Sequence, residues 1–174
     1  MKKLIKFIEI DEFKKVLRAE KDRKYKLAYV LAFGSGLRIS EIVGPAPNSN
    51  QKIKALTKEQ VDLKQHKITV HGKGGLERVT VTSPWLTESN LNLLPLSIPR
   101  TTLQNRFSSL CLKVLGKRLS FHTLRHGFGN YMANEKNVPI PMVQQMLGHS
   151  RLDTTGIYTK SNPKKTLERA WEAF

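Results

Sequence analysis

Apolar residues fall at strand spacing in one stretch of this 174-residue chain. Ile68 and Val70 alternate on one side of Gly72-Lys73-Gly74-Gly75, and Val79 and Val81 alternate on the other. Alternation interrupted by a glycine-rich turn is the pattern of a β-hairpin, with Lys73 at its tip. Elsewhere the spacing is helical, so the chain is confined to a mainly α fold with one small antiparallel β-sheet, an α+β arrangement.

Two helices are expected within 11–36. Phe13, Val16 and Leu17 share a face behind a possible Asp11 cap, Leu27, Val30 and Leu31 share another, and Gly34-Ser35-Gly36 ends the second. A short helical turn over Leu37–Val43 leads into Gly44-Pro45-Ala46-Pro47-Asn48-Ser49-Asn50, a composition that predicts a loop. Thr57-Lys58-Glu59-Gln60 has capping-box spacing. From Arg100 onward Leu103, Phe107, Leu110 and Val114 predict a helix that stops at Gly116. Further helices are expected near 121–135, 139–147 and 153–159. A last one begins at Pro163 and carries the stripe Leu167, Ala170, Trp171 and Phe174.

Lys and Arg outnumber Asp and Glu by 30 to 14, a formal net charge of +16. An excess this large points to a polyanionic partner, and nucleic acid fits it better than a membrane surface, which is usually read by short basic clusters beside apolar anchors. Lys6 and Glu9 interrupt the apolar start, so it does not read as a signal peptide, and no stretch is long enough to span a membrane. The lone Cys111 sits in an apolar helical run and reads as a buried thiol. The expected location is cytoplasmic, associated with the nucleoid.

The segments that carry chemistry are Gly36-Leu37-Arg38-Ile39-Ser40-Glu41, the hairpin Lys73, Phe121-His122-Thr123-Leu124-Arg125-His126, Leu147-Gly148-His149-Ser150 and Thr154-Thr155-Gly156-Ile157-Tyr158. Each is weak alone. As an ordered set, with 24 residues from Arg125 to His149 and 9 from His149 to Tyr158, the chain resembles the catalytic domain of the tyrosine recombinase, or phage integrase, family over essentially its whole length.

The resemblance implies site-specific DNA recombination through a 3′-phosphotyrosyl intermediate. Transfer of a phosphodiester builds negative charge on the non-bridging oxygens, which Arg38 and Arg125 would clamp. His122, one turn from Arg125, would share a proton at the phosphate, and His149 would donate a further hydrogen bond. Lys73 would protonate the departing 5′-oxygen, the role that the family gives its hairpin lysine, and Tyr158 would be the nucleophile. Fixed cations take the place of a metal in this scheme, so neither metal nor cofactor is expected. Glu41 and His126 are expected to support the site, and Lys67 and Arg78 to contact DNA phosphates. The implied partner is double-stranded DNA bound by a homotetramer on synapsed sites, with exchange of the C-terminal segment 163–174 between subunits as one option and packing on its own domain as the other.

Plainer readings stand beside these. Arg38 could simply pair with Glu41, Lys73 could be one phosphate contact among many, and Tyr158 could be a half-buried helix residue. His122 could bond to backbone at a helix start, and His149 could be a loop residue after a glycine stop. The ordered set favours function for these five, whereas His126 reads as a packed core histidine and Tyr131 as core. No histidine pair has helical metal-site spacing with a third ligand in view.

Two other functions fit part of the pattern: a type IB topoisomerase, which the compact spacing and His149 disfavour, and a non-catalytic DNA-binding protein, which would lack a member of the set. The 44–55 loop looks like an insertion. Gly127 and Gly129 inside a predicted helix call for close packing against another helix or DNA. The resemblance also implies a separate N-terminal core-binding domain, usual in relatives, that residues 1–174 do not supply, so they are expected to be one catalytic domain, a piece of a longer enzyme in preference to a minimal enzyme that recruits that function otherwise.

Overall fold

The computed structural model describes residues 6–50, 53–72, 77–148, 163–172 and 174. Its element order is α1 (Ile10–Ala19), α2 (Arg23–Gly34), α3 (Ile39–Val43), β1 (Val61–Asp62), β2 (Lys67–His71), β3 (Glu77–Val81), α4 (Glu88–Leu91), α5 (Arg100–Leu115), α6 (His122–Asn130), α7 (Ile140–Leu147) and α8 (Pro163–Glu172). A single 3₁₀ turn, Lys58–Gln60, precedes β1, and a π-helical turn, Tyr131–Glu135, prolongs α6.

Helix α2 is the spine. Asp22 caps it by accepting from the Lys24 N–H at 2.8 Å, and Leu27 through Gly34 are buried on every side. The sequence showed one apolar face. The rest of the helix is closed over by α1, α3, α4 and α6. At its end Gly34 leaves no room for a side chain, because a Cβ would lie 2.4 Å from the Ser83 Oγ.

The hairpin forms as expected, with Ile68 opposite Thr80 and Val70 opposite Arg78, and Ile68, Val70 and Val81 buried. A third strand was not foreseen: β1 pairs antiparallel with β2 through only two residues, too few to show alternation. Helix α5 ends at Gly116 in the left-handed conformation (φ 70°), its N–H returning to the Leu112 carbonyl. Leu103, Phe107 and Cys111, four residues apart, are its buried seam.

The two glycines of α6 are explained by close approach. A Cβ at Gly127 would stand 2.5 Å from the Ile8 carbonyl and 2.8 Å from the Phe33 ring, and one at Gly129 would press on Leu147 at 3.3 Å. The helix crosses α2 at Gly127 where only glycine allows contact and packs tightly on α7 at Gly129, which offsets the roughly 1 kcal/mol that each glycine costs a helix interior. Helix α8 packs on this chain's own sheet: Trp171 stacks on His66 with centroids 3.9 Å apart, and Phe174 meets Trp85 edge-on at 5.5 Å. Of the expected helices, 153–159 lies outside the described residues. Among the described residues no helix is long and apolar enough to cross a membrane.

Candidate functional site

The site assembles around the C-terminal end of α7, where three arginines from three different elements meet the last carbonyls of the helix. Arg125, on the second turn of α6, is 3% exposed. Its two terminal nitrogens donate to the Gly36 and Leu147 carbonyls. Arg38, just before α3, donates to the Gly148 carbonyl at 3.4 Å. Arg78, on β3, donates through Nε to the Met146 carbonyl at 2.8 Å. Helix C-terminal carbonyls lack intrahelical donors and carry the negative end of the helix dipole, so cationic donors are the natural complement.

Gly36 makes this possible. Its φ of +67° turns its carbonyl toward Arg125, and a Cβ there would lie 2.7 Å from the Phe128 ring. Gly148, at φ +64°, closes α7 in the left-handed conformation, and Arg78 fills the space where its Cβ would be.

Glu41 is the one carboxylate among these cations. Its side chain is 2% exposed. One oxygen accepts from the Arg38 guanidinium at 3.0 Å and from Arg78 at 2.6 Å, and the other accepts from the Arg38 backbone N–H at 2.7 Å and from Arg78 at 2.8 Å. Burial pushes its pKa up, but the Arg78 contacts, followed by those of Arg38, outweigh burial and hold it below the usual carboxylate range. Three guanidiniums against one carboxylate leave the cluster positive. Burial, then repulsion from Arg38 and Arg78, draws the Arg125 pKa down to about 9. A guanidinium so placed stays protonated at neutral pH, yet the shift marks a site that gains by receiving an anion.

In front of the cluster lies a cleft of about 660 Å³ lined by Arg38, His122, Arg125 and His126, with Phe7 and Ile140 on its apolar side. The Arg38 side chain is 39% exposed and is the cation most open to a ligand. His122, the first residue of α6, is exposed and meets His126 edge to face at 4.4 Å. His126 is half-buried and lines the cleft, which corrects its reading as a packed core histidine: its position one turn beyond His122 turns it toward the cleft instead of the core. Burial and the neighbouring Arg125 charge lower its pKa, favouring the neutral ring.

The site residues expected from sequence divide as follows. Arg38, Glu41, His122, Arg125 and His126 come together here, whereas Lys73, His149 and Tyr158 lie outside the described residues. Lys67 is half-buried at the start of β2. Arg78 departs from its expected role as a phosphate contact, because its side chain is 10% exposed and all three of its nitrogens bind Glu41 or α7. Tyr131 is core, as expected, at 6% exposure. Sequence reasoning missed the part played by backbone: the Gly36, Met146, Leu147 and Gly148 carbonyls have no sequence signature beyond the two glycines. Among the described residues no three His, Cys, Asp or Glu side chains converge as a metal site would require.

The model of the phage integrase family matches residues 3–165. The tyrosine recombinase XerA of Pyrococcus horikoshii is 32% identical over 184 aligned positions, covering 96% of this chain and 61% of that protein. The chain therefore spans less than two thirds of the length of this relative. Among solved structures, the integrase of mycobacterium phage Brujita superposes with a TM-score of 0.69 at 21% identity, over 98% of this chain and 58% of that one. The XerH site-specific recombinase bound to its difH substrate gives 0.61 at 20% identity, over 97% of this chain and 54% of that one. Such structural likeness speaks to the fold, which is that of tyrosine recombinase catalytic domains, while the family match and the XerA identity speak to descent. The chain belongs to the phage integrase family.

Proposed function

We propose that this chain is the catalytic module of a tyrosine-type site-specific DNA recombinase. The Tyr158 Oη gives its proton to His122 as it attacks the scissile phosphorus, the bond to the 5′-oxygen breaks, and that oxygen takes a proton from Lys73. The 3′-phosphotyrosyl bond conserves the energy of the phosphodiester, so a new 5′-hydroxyl reverses the step without an external energy source. Arg38 and Arg125 hold the non-bridging oxygens, His122 shares a proton there, and His149 adds a donor. His126, neutral beside Arg125, supports His122 by ring contact.

The observation that carries this reading is the convergence of Arg38 and Arg125 on the end of α7 beside His122, a net positive cluster opening into one cleft. The partner is duplex DNA. A homotetramer on two synapsed sites is the assembly, and exchange of the segment 163–174 would have to release the Trp171–His66 and Phe174–Trp85 contacts that dock it on its own domain.

A nicked duplex bearing the cognate site, which traps the cleaved strand, tests the reaction. A covalent protein–DNA adduct is expected from the chain as given and none from Tyr158→Phe. No adduct from either protein would sink the reading, and relaxation of supercoiled plasmid lacking the site would move it toward a topoisomerase.

A further inference from the structure

Arg38 and Glu41 make a short pair, and alone they would neutralise each other. A carboxylate that is 2% exposed needs a cation, and Arg38 stands next to it. If Arg38 spent its charge there, it would have little left for a phosphate. Arg78 changes that balance. It approaches Glu41 end-on with its two terminal guanidinium nitrogens at 2.6 and 2.8 Å, against 3.0 Å for the Arg38 guanidinium, and bidentate geometry is the stronger form of this contact. Its own side chain is withdrawn from solvent, pinned to the Met146 carbonyl and packed where Gly148 leaves space. Arg38 keeps 39% of its side chain exposed at the cleft.

We propose that Arg78 is a positioning residue: by neutralising Glu41 and tying it to the end of α7, it leaves the charge of Arg38 available to the scissile phosphate, and it does not itself contact DNA. This rests on the recombinase reading for its substrate. Without Arg78, Glu41 captures the Arg38 guanidinium, and the clamp loses one arm although its residues are all present.

The test compares Arg78→Met, Arg38→Ala, their double variant, and Glu41→Gln/Arg78→Met, in single-turnover cleavage of the nicked duplex and in binding to the intact duplex. Losing one preorganised donor to the developing charge slows cleavage on the order of 10²-fold, so about that loss is expected for Arg78→Met. Removing the carboxylate as well releases Arg38, and Glu41→Gln/Arg78→Met is expected to recover most of the rate. That variant removes the Glu41 charge together with its Arg78 partner, so it guards against loss of folding in Arg78→Met. In binding, Arg38→Ala should weaken the wild-type chain and have no further effect on Arg78→Met. A direct phosphate contact predicts the opposite: additive losses, each lowering the slope of log affinity against log salt by about 0.9, and no recovery with Glu41→Gln. Additive losses of Arg38→Ala and Arg78→Met, or a Glu41→Gln/Arg78→Met variant as slow as Arg78→Met, would overturn the proposal. Absence of an adduct from the wild-type chain counts against the recombinase reading, while the binding cycle still reports the coupling.

Discussion

At the scale of single residues, the site depends on backbone as much as on side chains. Gly36 is the clearest case, because its carbonyl receives Arg125 and its φ of +67° and contact with Phe128 exclude a side chain. Left-handed geometry costs a non-glycine residue about 1–2 kcal/mol, and overpacking adds about 1–3. Gly36→Ala is therefore expected to lose roughly 2–5 kcal/mol in urea denaturation and to cleave poorly even when folded. Arg125 is equally constrained. Its two terminal nitrogens reach carbonyls on opposite sides, from α6 to the end of α2 and to α7, and an ammonium can serve only one of them. Arg125→Lys leaves a buried carbonyl unpaired, which costs about 1–3 kcal/mol. It should also slow cleavage far more than it weakens DNA binding, and a variant that cleaves at the wild-type rate would refute the bidentate role.

At the scale of elements, the corner between α1 and α2 is held by another arginine–carboxylate tie, remote from the site. Glu20, 3% exposed, accepts from the Lys21 and Asp22 N–H groups, the Tyr29 hydroxyl and two nitrogens of Arg106 on α5. Burial opposes its charge, but Arg106 and these donors bring its pKa down from 4.5 to about 2. A carboxylate with a folded pKa below its unfolded one contributes stability that is fully present above about 4.5 and drains away as pH falls toward 2. Glu20→Gln should cost about 2 kcal/mol at pH 6, the scale of hydrogen bonds to a charged group. The gap from wild type should narrow at pH 3, and urea titrations at the two pH values measure it. An equal gap at both would mean that the carboxylate charge is not what holds the corner. The same scale shows what was legible in the sequence. The α5 seam and its stop at Gly116, the hairpin, and the glycine-dependent packing of α6 could be read from spacing, because each is a local pattern repeated by burial. The two-residue β1 could not, since its only signal is a partner strand. Arg78 was misread for a related reason: an arginine on a hairpin of a basic chain looks like a phosphate contact until the fold brings Glu41, distant in sequence, against it.

At the scale of the whole molecule, the charge of +16 and the clustered arginines serve different ends. The guanidinium of Arg78 is spent on the Met146 carbonyl and on Glu41, so it adds to the field around the chain but would release few counterions to a DNA partner. Exposed lysines and arginines do that. Each phosphate they neutralise contributes about 0.9 to the slope of log affinity against log salt. Lys67 is half-buried, on the face of β2 opposite buried Ile68 and Val70; as a phosphate contact it would join this group, and Lys67→Ala is then expected to lower the slope by about that amount with little change in the cleavage rate at saturating protein. Arg78→Met, for the reasons given above, should change the slope only as much as Arg38→Ala does, and not in addition to it. Titrating Lys67→Ala, and Arg78→Met with and without Arg38→Ala, with the intact duplex between 50 and 200 mM salt, a range over which a protein neutralising several phosphates loses on the order of 10³ in affinity, separates charges that grip the DNA from charges that arrange the site. If Lys67→Ala left the slope unchanged while Arg78→Met lowered it further in the Arg38→Ala background, this division of labour would be reversed.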